Sequence, residues 1–313
     1  RDLRMSRGLG DVYKRQKYTS LNENLKFSRI IAGCMRTLDA GMDGNKLRNF
    51  VHNCMDMGID TFDHAPVYGA GGCEKIFGDE VLRKDPELRS KIKIVTKAGI
   101  ILPGQKGNKH IFYDSTKSNL LAEMDASLNR LGTDHVDLLL IHRPDVLSNP
   151  EETAEALTEI VKAGKALNVG VSNYEPAQFE ALQKYLPYKL VANQMEFSVK
   201  ATYNFFNGVV DNAQMNKTAL MAWSPLGGGS VFKGEDEQSV RLRTVLETIA
   251  KEHQTDIDVV MYAFVLKHPA EIMPITGTMN VGRVKNAVDA LELDLTYDEW
   301  YAILAASRGF DVP

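Results

Sequence analysis

Residues 136–143 read VDLLLIHR, a short run with leucine or isoleucine at four consecutive positions. A strand that is apolar at consecutive positions buries both of its faces, as strands do inside a parallel sheet that is covered by helices. The run stands between two amphipathic segments, 115–132 and 149–164, each of which ends at a glycine. A helix, a doubly buried strand and a second helix in succession predict a parallel α/β architecture.

The same alternation of strand and helix recurs along the chain from Lys17 onward. Eight short apolar runs are the predicted strands, namely SRIIAGC (28–34), DTFDHA (60–65), KIKIVTKAG (91–99), VDLLLIHR (136–143), ALNVGVSN (166–173), KLVANQMEF (189–197), ALMAWSP (219–225) and EIMPITGT (271–278). Eight such units in a chain of 313 residues predict one closed (β/α)8 TIM barrel. The alternative is an open doubly wound sheet, which usually carries G-x-G-x-x-G after its first strand. Here the first strand runs into GCMRT, which lacks that motif.

The ends of the chain are interpreted separately. Residues 1–16 are basic, poor in apolar side chains and without a period, so we interpret them as a non-native or disordered leader. They contain no apolar core of the kind that a secretory signal needs. The predicted barrel domain therefore spans residues 17–313.

Composition limits the partners and the location that we expect. The net charge is −4 and the isoelectric point is about 6.0, which argues against a nucleic-acid partner. No apolar run reaches the roughly 18 residues that a membrane span requires. The three cysteines, Cys34, Cys54 and Cys73, lack the paired spacing of a metal site and indicate reduced thiols in the cytoplasm. The sequence does not reveal the oligomeric state.

Four ionisable side chains fall at the C-terminal ends of three consecutive predicted strands. Asp63 lies in DTFDHA with Tyr68 five residues beyond it, Lys97 lies in KIKIVTKAG, and His142 lies in VDLLLIHR. Catalytic residues of a TIM barrel gather at these ends, so we expect the four to share one cavity, with Asp63 paired to Lys97. Each residue alone has a structural explanation, as a helix cap, a rim lysine or a packing residue. Their joint placement favours a catalytic site.

Together the four residues have the chemistry of a proton donor. A free tyrosine has a pKa of about 10, and the Lys97 cation is expected to lower the pKa of Tyr68. Asp63 would hold the ammonium, and His142 would orient a carbonyl group or help to move the proton. A tyrosine acid suits a reaction in which negative charge develops on oxygen, such as reduction of a carbonyl by hydride. No side chain supplies hydride, so a nicotinamide cofactor is implied.

Several later segments suit a dinucleotide. Ser172 and Asn173 could bind a carboxamide, and Gln194 lies on the next strand. The segment WSPLGGG (223–229) offers a hydroxyl and a flexible backbone for a pyrophosphate. Thr278 and Arg283 lie around the start of a predicted helix, where a phosphate can bind. The planar fork of Arg283 favours a 2′-phosphate, hence NADPH, although NADH remains possible.

These motifs resemble the aldo-keto reductase superfamily. FDHAPVYG is similar to the family signature FDTAxxYG, and VTK, LLIHRPD, GVSN, NQMEFS and WSPLGGG follow in the family's order. The likeness covers about residues 25–293 and is greatest to the bacterial YdhF-like oxidoreductase branch, through LLIHRPD, SPLGGG and MPITGT with RVKNAV. The resemblance implies reduction of aldehydes and ketones with NAD(P)H. It assigns Tyr68 as the acid, Asp63 and Lys97 as its tuning pair and His142 as the residue that orients the carbonyl.

The resemblance also supplies a set of cofactor contacts. They are Ser172, Asn173, Gln194, Trp223, Ser224, Pro225, Leu226, Gly277, Thr278 and Arg283, with Trp223 the candidate for the aromatic surface beneath the nicotinamide. Gly277 stands where many relatives carry a lysine, which leaves phosphate binding mainly to Arg283. The family often has an asparagine where this chain has Ala287, and Asn286 comes one residue earlier. The tail after Trp300 is short, which predicts an open substrate pocket.

Two other functions remain open from the sequence. Some members of this family are regulatory subunits that bind the cofactor and turn over slowly. A Schiff-base aldolase on the same barrel would use Lys97 as its nucleophile, and that role requires an unpaired, desolvated lysine. The expected partner is a small carbonyl compound, whose identity depends on loops that the sequence does not define.

Overall fold

The structure is a computed structural model that describes residues 17–311. The interpretation of residues 1–16 as a leader concerns residues outside this range. Twelve strands lie in the described part of the chain: β1 (Tyr18–Asn22), β2 (Leu25–Ser28), β3 (Ile31–Gly33), β4 (Thr61–Asp63), β5 (Lys93–Ala98), β6 (Ile100–Ile101), β7 (Phe112–Tyr113), β8 (Leu138–Ile141), β9 (Val169–Ser172), β10 (Leu190–Glu196), β11 (Ala219–Trp223) and β12 (Met273–Thr276).

Helices follow most of the strands. They are α1 (Gly44–Asp56), α2 (Gly72–Phe77), α3 (Lys117–Leu131), α4 (Pro150–Lys162), α5 (Pro176–Gln183), α6 (Val209–Asn216), α7 (Ser230–Lys233), α8 (Glu237–Glu252), α9 (Ile257–Leu266), α10 (Val281–Asp289) and α11 (Tyr297–Arg308). Short helical turns occur at Tyr68–Gly71, Gly78–Leu82, Pro86–Ser90, Gln105–Gly107, Tyr203–Phe205 and Gly227–Gly229.

Eight of the strands close into a parallel barrel. Their order around the barrel is β3, β4, β5, β8, β9, β10, β11 and β12, and β12 pairs again with β3. Each predicted strand contains one of these barrel strands, so the predicted (β/α)8 TIM barrel is confirmed. The VDLLLIHR segment forms β8, whose four residues are all buried, as expected for a strand covered on both faces.

Helix α1 illustrates how the amphipathic runs pack on the outside of the barrel. The Asp43 side chain accepts a hydrogen bond from the Lys46 amide and caps the helix. Leu47, Phe50, Val51 and Cys54 recur at helical spacing and are buried against the strands. They belong to a continuous apolar layer between the barrel and its helices.

The N-terminal end of the barrel is closed by a hairpin that the sequence analysis did not predict. Strands β1 and β2 are antiparallel, and Leu21, Leu25 and Phe27 pack with the apolar side chains that fill the barrel interior. The hairpin is also hydrogen-bonded to residues just before two barrel strands. Asn22 donates to Asn168 at 2.7 Å, and the Ser28 amide donates to Asp60 at 3.2 Å. The predicted catalytic residues lie at the opposite, C-terminal end of the barrel strands.

Candidate active site

The predicted ion pair forms at the C-terminal end of the barrel. Asp63 is the last residue of β4, and Lys97 lies on the neighbouring strand β5. Lys97 Nζ donates to Asp63 Oδ1 at 2.6 Å, to the Tyr68 hydroxyl at 3.1 Å and to the His64 carbonyl at 2.9 Å. An ammonium has three hydrogen-bond donors, so all of them are used. Lys97 is therefore not the unpaired amine that an aldolase would need.

Asp63 is held from the opposite wall of the barrel. Gln194 lies on β10, four strands from β4 in either direction around the ring. Its amide nitrogen donates to Asp63 Oδ2 at 2.8 Å. Oδ1 thus accepts from Lys97 and, at 3.4 Å, from the Tyr68 hydroxyl, whereas Oδ2 accepts from Gln194. The contact between Gln194 and Asp63 was not predicted, because their spacing of 131 residues gives no local pattern.

Burial and the neighbouring charges together determine the protonation state of Lys97. The Lys97 and Asp63 side chains are only 0% and 2% exposed. Burial disfavours the ammonium, but the charges and hydrogen bonds of Asp63 and Tyr68 outweigh it and raise the pKa of Lys97. Lys97 is consequently a permanent cation at neutral pH.

The pKa of Tyr68 differs from the sequence-based prediction, which was a lowered value. Burial raises the pKa of Tyr68 to about 12, and this effect exceeds the lowering by the Lys97 charge. The expected lowering was wrong in its net direction, because burial of the phenol disfavours its ionised form more than Lys97 favours it. Tyr68 is therefore protonated at neutral pH.

His142 follows β8 and faces Tyr68. The two rings lie edge to face, with their centroids 6.2 Å apart. Burial, together with the Lys97 and Arg143 charges, holds the pKa of His142 well below its usual value. The imidazole is neutral at physiological pH, so one ring nitrogen can donate a hydrogen bond and the other can accept one.

The loop that carries Tyr68 is anchored by a second ion pair, in which the Glu74 side chain is buried and the Arg130 side chain is partly exposed. After Tyr68 the chain turns through Gly69, Ala70 and Gly71 with φ angles of 57°, 51° and 87°. Glu74 in α2 accepts from Arg130 Nε at 2.7 Å and from Thr96 Oγ1 at 2.6 Å. Thr96 precedes Lys97 on β5, so this network joins the Tyr68 loop to the strand that carries its lysine.

A cavity of 1140 Å³ opens at this end of the barrel. Asp63, Tyr68 and His142 lie on its wall, whereas Lys97 is not among the lining residues. All ten predicted cofactor contacts also line it: Ser172, Asn173, Gln194, Trp223, Ser224, Pro225, Leu226, Gly277, Thr278 and Arg283. The structure thus brings the whole predicted set of cofactor contacts to one cavity.

A polar group on β9 and β11 is organised within the cavity wall. Asn173 donates to Ser172 Oγ at 2.8 Å, and its side-chain oxygen accepts from the Trp223 indole at 2.9 Å. Asn173 and Ser224 have left-handed φ angles of 60° and 50°, a costly conformation for residues other than glycine. The Arg143 guanidinium lies 5.5 Å from the Trp223 ring centroid, so Trp223 contacts both an amide and a cation.

The outer part of the cavity lies at the start of α10. Asn280 caps this helix by accepting from the Arg283 amide at 3.1 Å, and its own amide donates to Thr278 Oγ1 at 3.1 Å. The Arg283 side chain is exposed. Asn286, one residue before the family's usual position, donates to the Asp258 carboxylate at 3.0 and 3.1 Å.

Some residues of the cavity wall were not selected from the sequence. They include Met35, Arg36, Arg143, Asp258 and Tyr262. Arg36 follows β3 at a C-terminal strand end, the same kind of position as the predicted catalytic residues. The GCMRT segment around it has no motif that distinguishes Arg36 from a surface residue.

Two classes of site are not found in the described part of the chain. Residues 17–311 contain no cluster of three or more His, Cys, Asp or Glu side chains able to hold a metal ion. Within the same residues, no helix combines the length and apolar character needed to cross a membrane.

Comparison with known proteins agrees with the geometry. Residues 29–308 match the Aldo/keto reductase family. The chain is 42% identical over 296 residues to the uncharacterized oxidoreductase YcsN of Bacillus subtilis (strain 168), which covers 94% of this chain and 98% of YcsN. It is 38% identical to the oxidoreductase YdhF of Escherichia coli (strain K12), over 95% of this chain and 99% of YdhF.

A third relative has a more specific name. The chain is 41% identical to a 6-dehydroglucose reductase of Agrobacterium fabrum (strain C58 / ATCC 33970), over 94% of this chain and 98% of the relative. The chain therefore belongs to the aldo/keto reductase family, in its YdhF-like branch, and is an oxidoreductase that acts on carbonyl groups.

Proposed function

We propose that this protein reduces aldehydes and ketones to alcohols with NADPH, and that Tyr68 is the general acid. One observation carries the proposal. Lys97 Nζ contacts both the Asp63 carboxylate and the Tyr68 hydroxyl, and Tyr68 lies on the cavity wall. A buried acid and a buried lysine arranged around one phenol support a proton-donating role for that phenol.

Each residue of the site has a separate role in the proposed reduction. A bound reduced nicotinamide supplies the hydride. Tyr68 holds its proton at neutral pH and passes it to the carbonyl oxygen as negative charge develops there. Lys97 stabilises the phenolate that Tyr68 becomes, and Asp63 keeps Lys97 charged within the protein interior. Neutral His142 orients the carbonyl oxygen by donating a hydrogen bond.

The chemistry of the cavity wall fits a dinucleotide. The Ser172 hydroxyl and the Asn173 amide suit the carboxamide of a nicotinamide, although both are already hydrogen-bonded within the wall. The segment 224–226 and Gly277 would bind the pyrophosphate and ribose, and Trp223 would lie beneath the nicotinamide. Thr278 and the exposed Arg283 suit a 2′-phosphate, which favours NADPH over NADH. At 1140 Å³ the cavity exceeds the usual range of small-molecule sites, roughly 300–1,000 Å³.

The cellular location is part of the proposal. Cys34, Cys54 and Cys73 are free and buried, and burial raises the pKa of each thiol. Thiols in that state suit the reducing cytoplasm. We therefore propose a cytoplasmic enzyme.

A carbonyl screen with both nicotinamide cofactors tests the function. The purified protein is expected to consume NADPH, followed by its absorbance, with a nitrobenzaldehyde and with a panel of other aldehydes and ketones. The panel includes a sugar-derived aldehyde, because the 41% identical relative is named a 6-dehydroglucose reductase. Tight NADPH binding without turnover on any member of the panel would instead indicate a regulatory, cofactor-binding protein.

A further inference from the structure

Arg36 lies at the outer rim of the cavity, in the loop between β3 and α1. Its side chain is exposed, and the guanidinium Nη1 donates to the Gly277 carbonyl at 3.2 Å. Gly277 follows β12, so Arg36 connects the loop after the first barrel strand to the segment that leads into α10. Both residues line the cavity.

The guanidinium occupies space that a side chain at position 277 would need. A Cβ atom built on Gly277 would lie 2.7 Å from Arg36 Nη1, closer than such atoms approach in real structures. The glycine therefore permits the cation to lie against the backbone between Thr276 and Thr278. Any larger residue would displace the end of the Arg36 side chain.

The backbone beneath Arg36 is fixed although its side chain is exposed. The neighbouring Thr37 is fully buried and donates to the Cys34 carbonyl at 2.8 Å. The same hydroxyl contacts Met279 Sδ at 3.8 Å, which joins this loop to the start of α10. Arg36 thus lies in an ordered loop beside Gly277, in the cavity that Thr278 and Arg283 also line.

The positive charges at this rim are not neutralised by ion pairs within the described part of the protein. Three cations line the outer cavity, Arg36, Lys233 and Arg283, and none of them forms an ion pair with a carboxylate among residues 17–311. Besides Asp63 at the inner end, two acids, Asp39 and Asp258, line the same cavity, and Asp258 is already hydrogen-bonded to Asn286. Guanidinium groups that line one cavity without a carboxylate partner are suited to a phosphate, which accepts two parallel hydrogen bonds from each fork.

We propose that Arg36 is a second phosphate-binding residue of the cofactor site and acts together with Arg283. The inference rests on the proposed function, because the phosphate in question belongs to the dinucleotide. The phosphate is either the 2′-phosphate of NADPH or the pyrophosphate that NADPH and NADH share. The two sources differ in their consequence for NADH, and the experiment separates them.

Direct binding provides a readout that does not depend on turnover. Trp223 lines the cavity, so quenching of tryptophan fluorescence can report the affinity for NADPH and NADH. Arg36→Ala is expected to weaken NADPH binding by about ten- to one-hundred-fold, the loss typical of one hydrogen-bonded charge. An unchanged affinity for NADH would identify the 2′-phosphate, and an equal loss for both cofactors would identify the pyrophosphate. The matched control Lys26→Ala removes an exposed cation from β2, at the closed end of the barrel, and should leave both affinities unchanged.

A double-mutant cycle tests the pose of Arg36. Gly277→Ala should weaken NADPH binding in the wild-type protein, because the new methyl group displaces the guanidinium. The same substitution should have little further effect in the Arg36→Ala background. Additive losses would overturn the pose, and wild-type affinity in a folded Arg36→Ala protein would overturn the inference while leaving the proposed function intact. If the wild-type protein bound neither cofactor, the proposed function and this inference would both fall.

Discussion

The two ends of the cavity hold their charges in opposite ways. At the inner end, Lys97 and Asp63 are almost wholly buried and all three donors of the ammonium are used. At the outer end, Arg36 and Arg283 are exposed and unpaired within the described part of the chain. A buried charge must be paired with an opposite charge inside the protein, whereas an exposed charge is solvated and remains available to bind a ligand. We therefore expect substitutions at the inner end to affect catalysis and folding, and those at the outer end to affect affinity.

The largest effect is expected at Tyr68. Tyr68→Phe removes the hydroxyl group that is proposed to donate the proton. This change should reduce kcat by about 10²–10⁴-fold, the range for loss of a general acid. Affinity for NADPH should be unchanged, because the aromatic ring remains. Steady-state kinetics and fluorescence titration measure the two quantities. Tyr185→Phe, which changes an exposed tyrosine at the end of α5, is the matched control. Undiminished turnover in Tyr68→Phe would remove Tyr68 from its proposed role.

The buried ion pair should be revealed by stability. Lys97→Met leaves the Asp63 carboxylate without its cation and should lower the free energy of unfolding by about 3–5 kcal/mol at neutral pH. The measurement is unfolding in urea. Lys75→Met is the control, because Lys75 and Asp79 form an exposed pair, and loss of an exposed pair should change stability far less.

A double variant sharpens the same test. Asp63→Asn combined with Lys97→Met removes both charges, so it should be less destabilised than Lys97→Met alone. Equal stability of the single variant and the wild type would contradict the view that the inner end must compensate its own charge.

At the outer end, Arg283→Ala should change affinity and little else. NADPH binding is expected to weaken by about ten- to one-hundred-fold relative to NADH binding, because only NADPH carries the 2′-phosphate. Fluorescence titration with both cofactors measures the difference, and the melting temperature should stay at its wild-type value. Equal losses for the two cofactors would contradict a contact with the 2′-phosphate.

The effect that is smallest at neutral pH, and that grows only as the pH falls, concerns His64, which lies behind the inner end. Its ring is fully buried, neither ring nitrogen has a partner among the described residues, and burial with the Lys97 charge lowers the pKa of His64 to about 3. The unfolded chain therefore binds a proton below about pH 6.5 that the folded chain does not, so stability falls as pH decreases from 6.5 towards 3.

His64→Phe isolates this contribution. Relative to the variant, the wild type should lose about 1.4 kcal/mol of unfolding free energy for each pH unit below about 6.5. Urea unfolding at several pH values measures the difference between the two proteins, in which the other histidines cancel. Parallel curves would show that His64 does not titrate differently in the folded and unfolded states.

The parts of the fold that the sequence predicted are those with a local pattern. The eight barrel strands lie in short, mainly apolar runs of the sequence, and parallel strands bring their C-terminal ends together, so Asp63 and Lys97 could be paired from their positions alone. The contact between Gln194 and Asp63 depends instead on closure of the barrel, which places β10 opposite β4. The β1–β2 hairpin was missed because it precedes the first repeat of strand and helix.

Quantities that depend on burial were the hardest to predict. The Lys97 cation was visible in the sequence as a neighbour of Tyr68, and its effect on the phenol has the predicted sign. The larger, opposite effect of burial on the pKa of Tyr68 arises only when the barrel and its loops are folded around the phenol. Arg36 similarly gains its role from its position against Gly277, two residues that are 241 positions apart in the chain.

The hairpin beneath the barrel has a kinetic consequence. Leu21, Leu25 and Phe27 pack with the apolar side chains that fill this end of the barrel, and among the described residues Tyr68 lines the cavity at the opposite end, so we expect reactants and products to share that cavity. A dinucleotide and a small carbonyl compound that share one cavity are expected to bind in a fixed sequence, with the smaller molecule arriving second and departing first. Product inhibition patterns should then be those of an ordered mechanism. Release of the oxidised dinucleotide is the step that we expect to limit the rate.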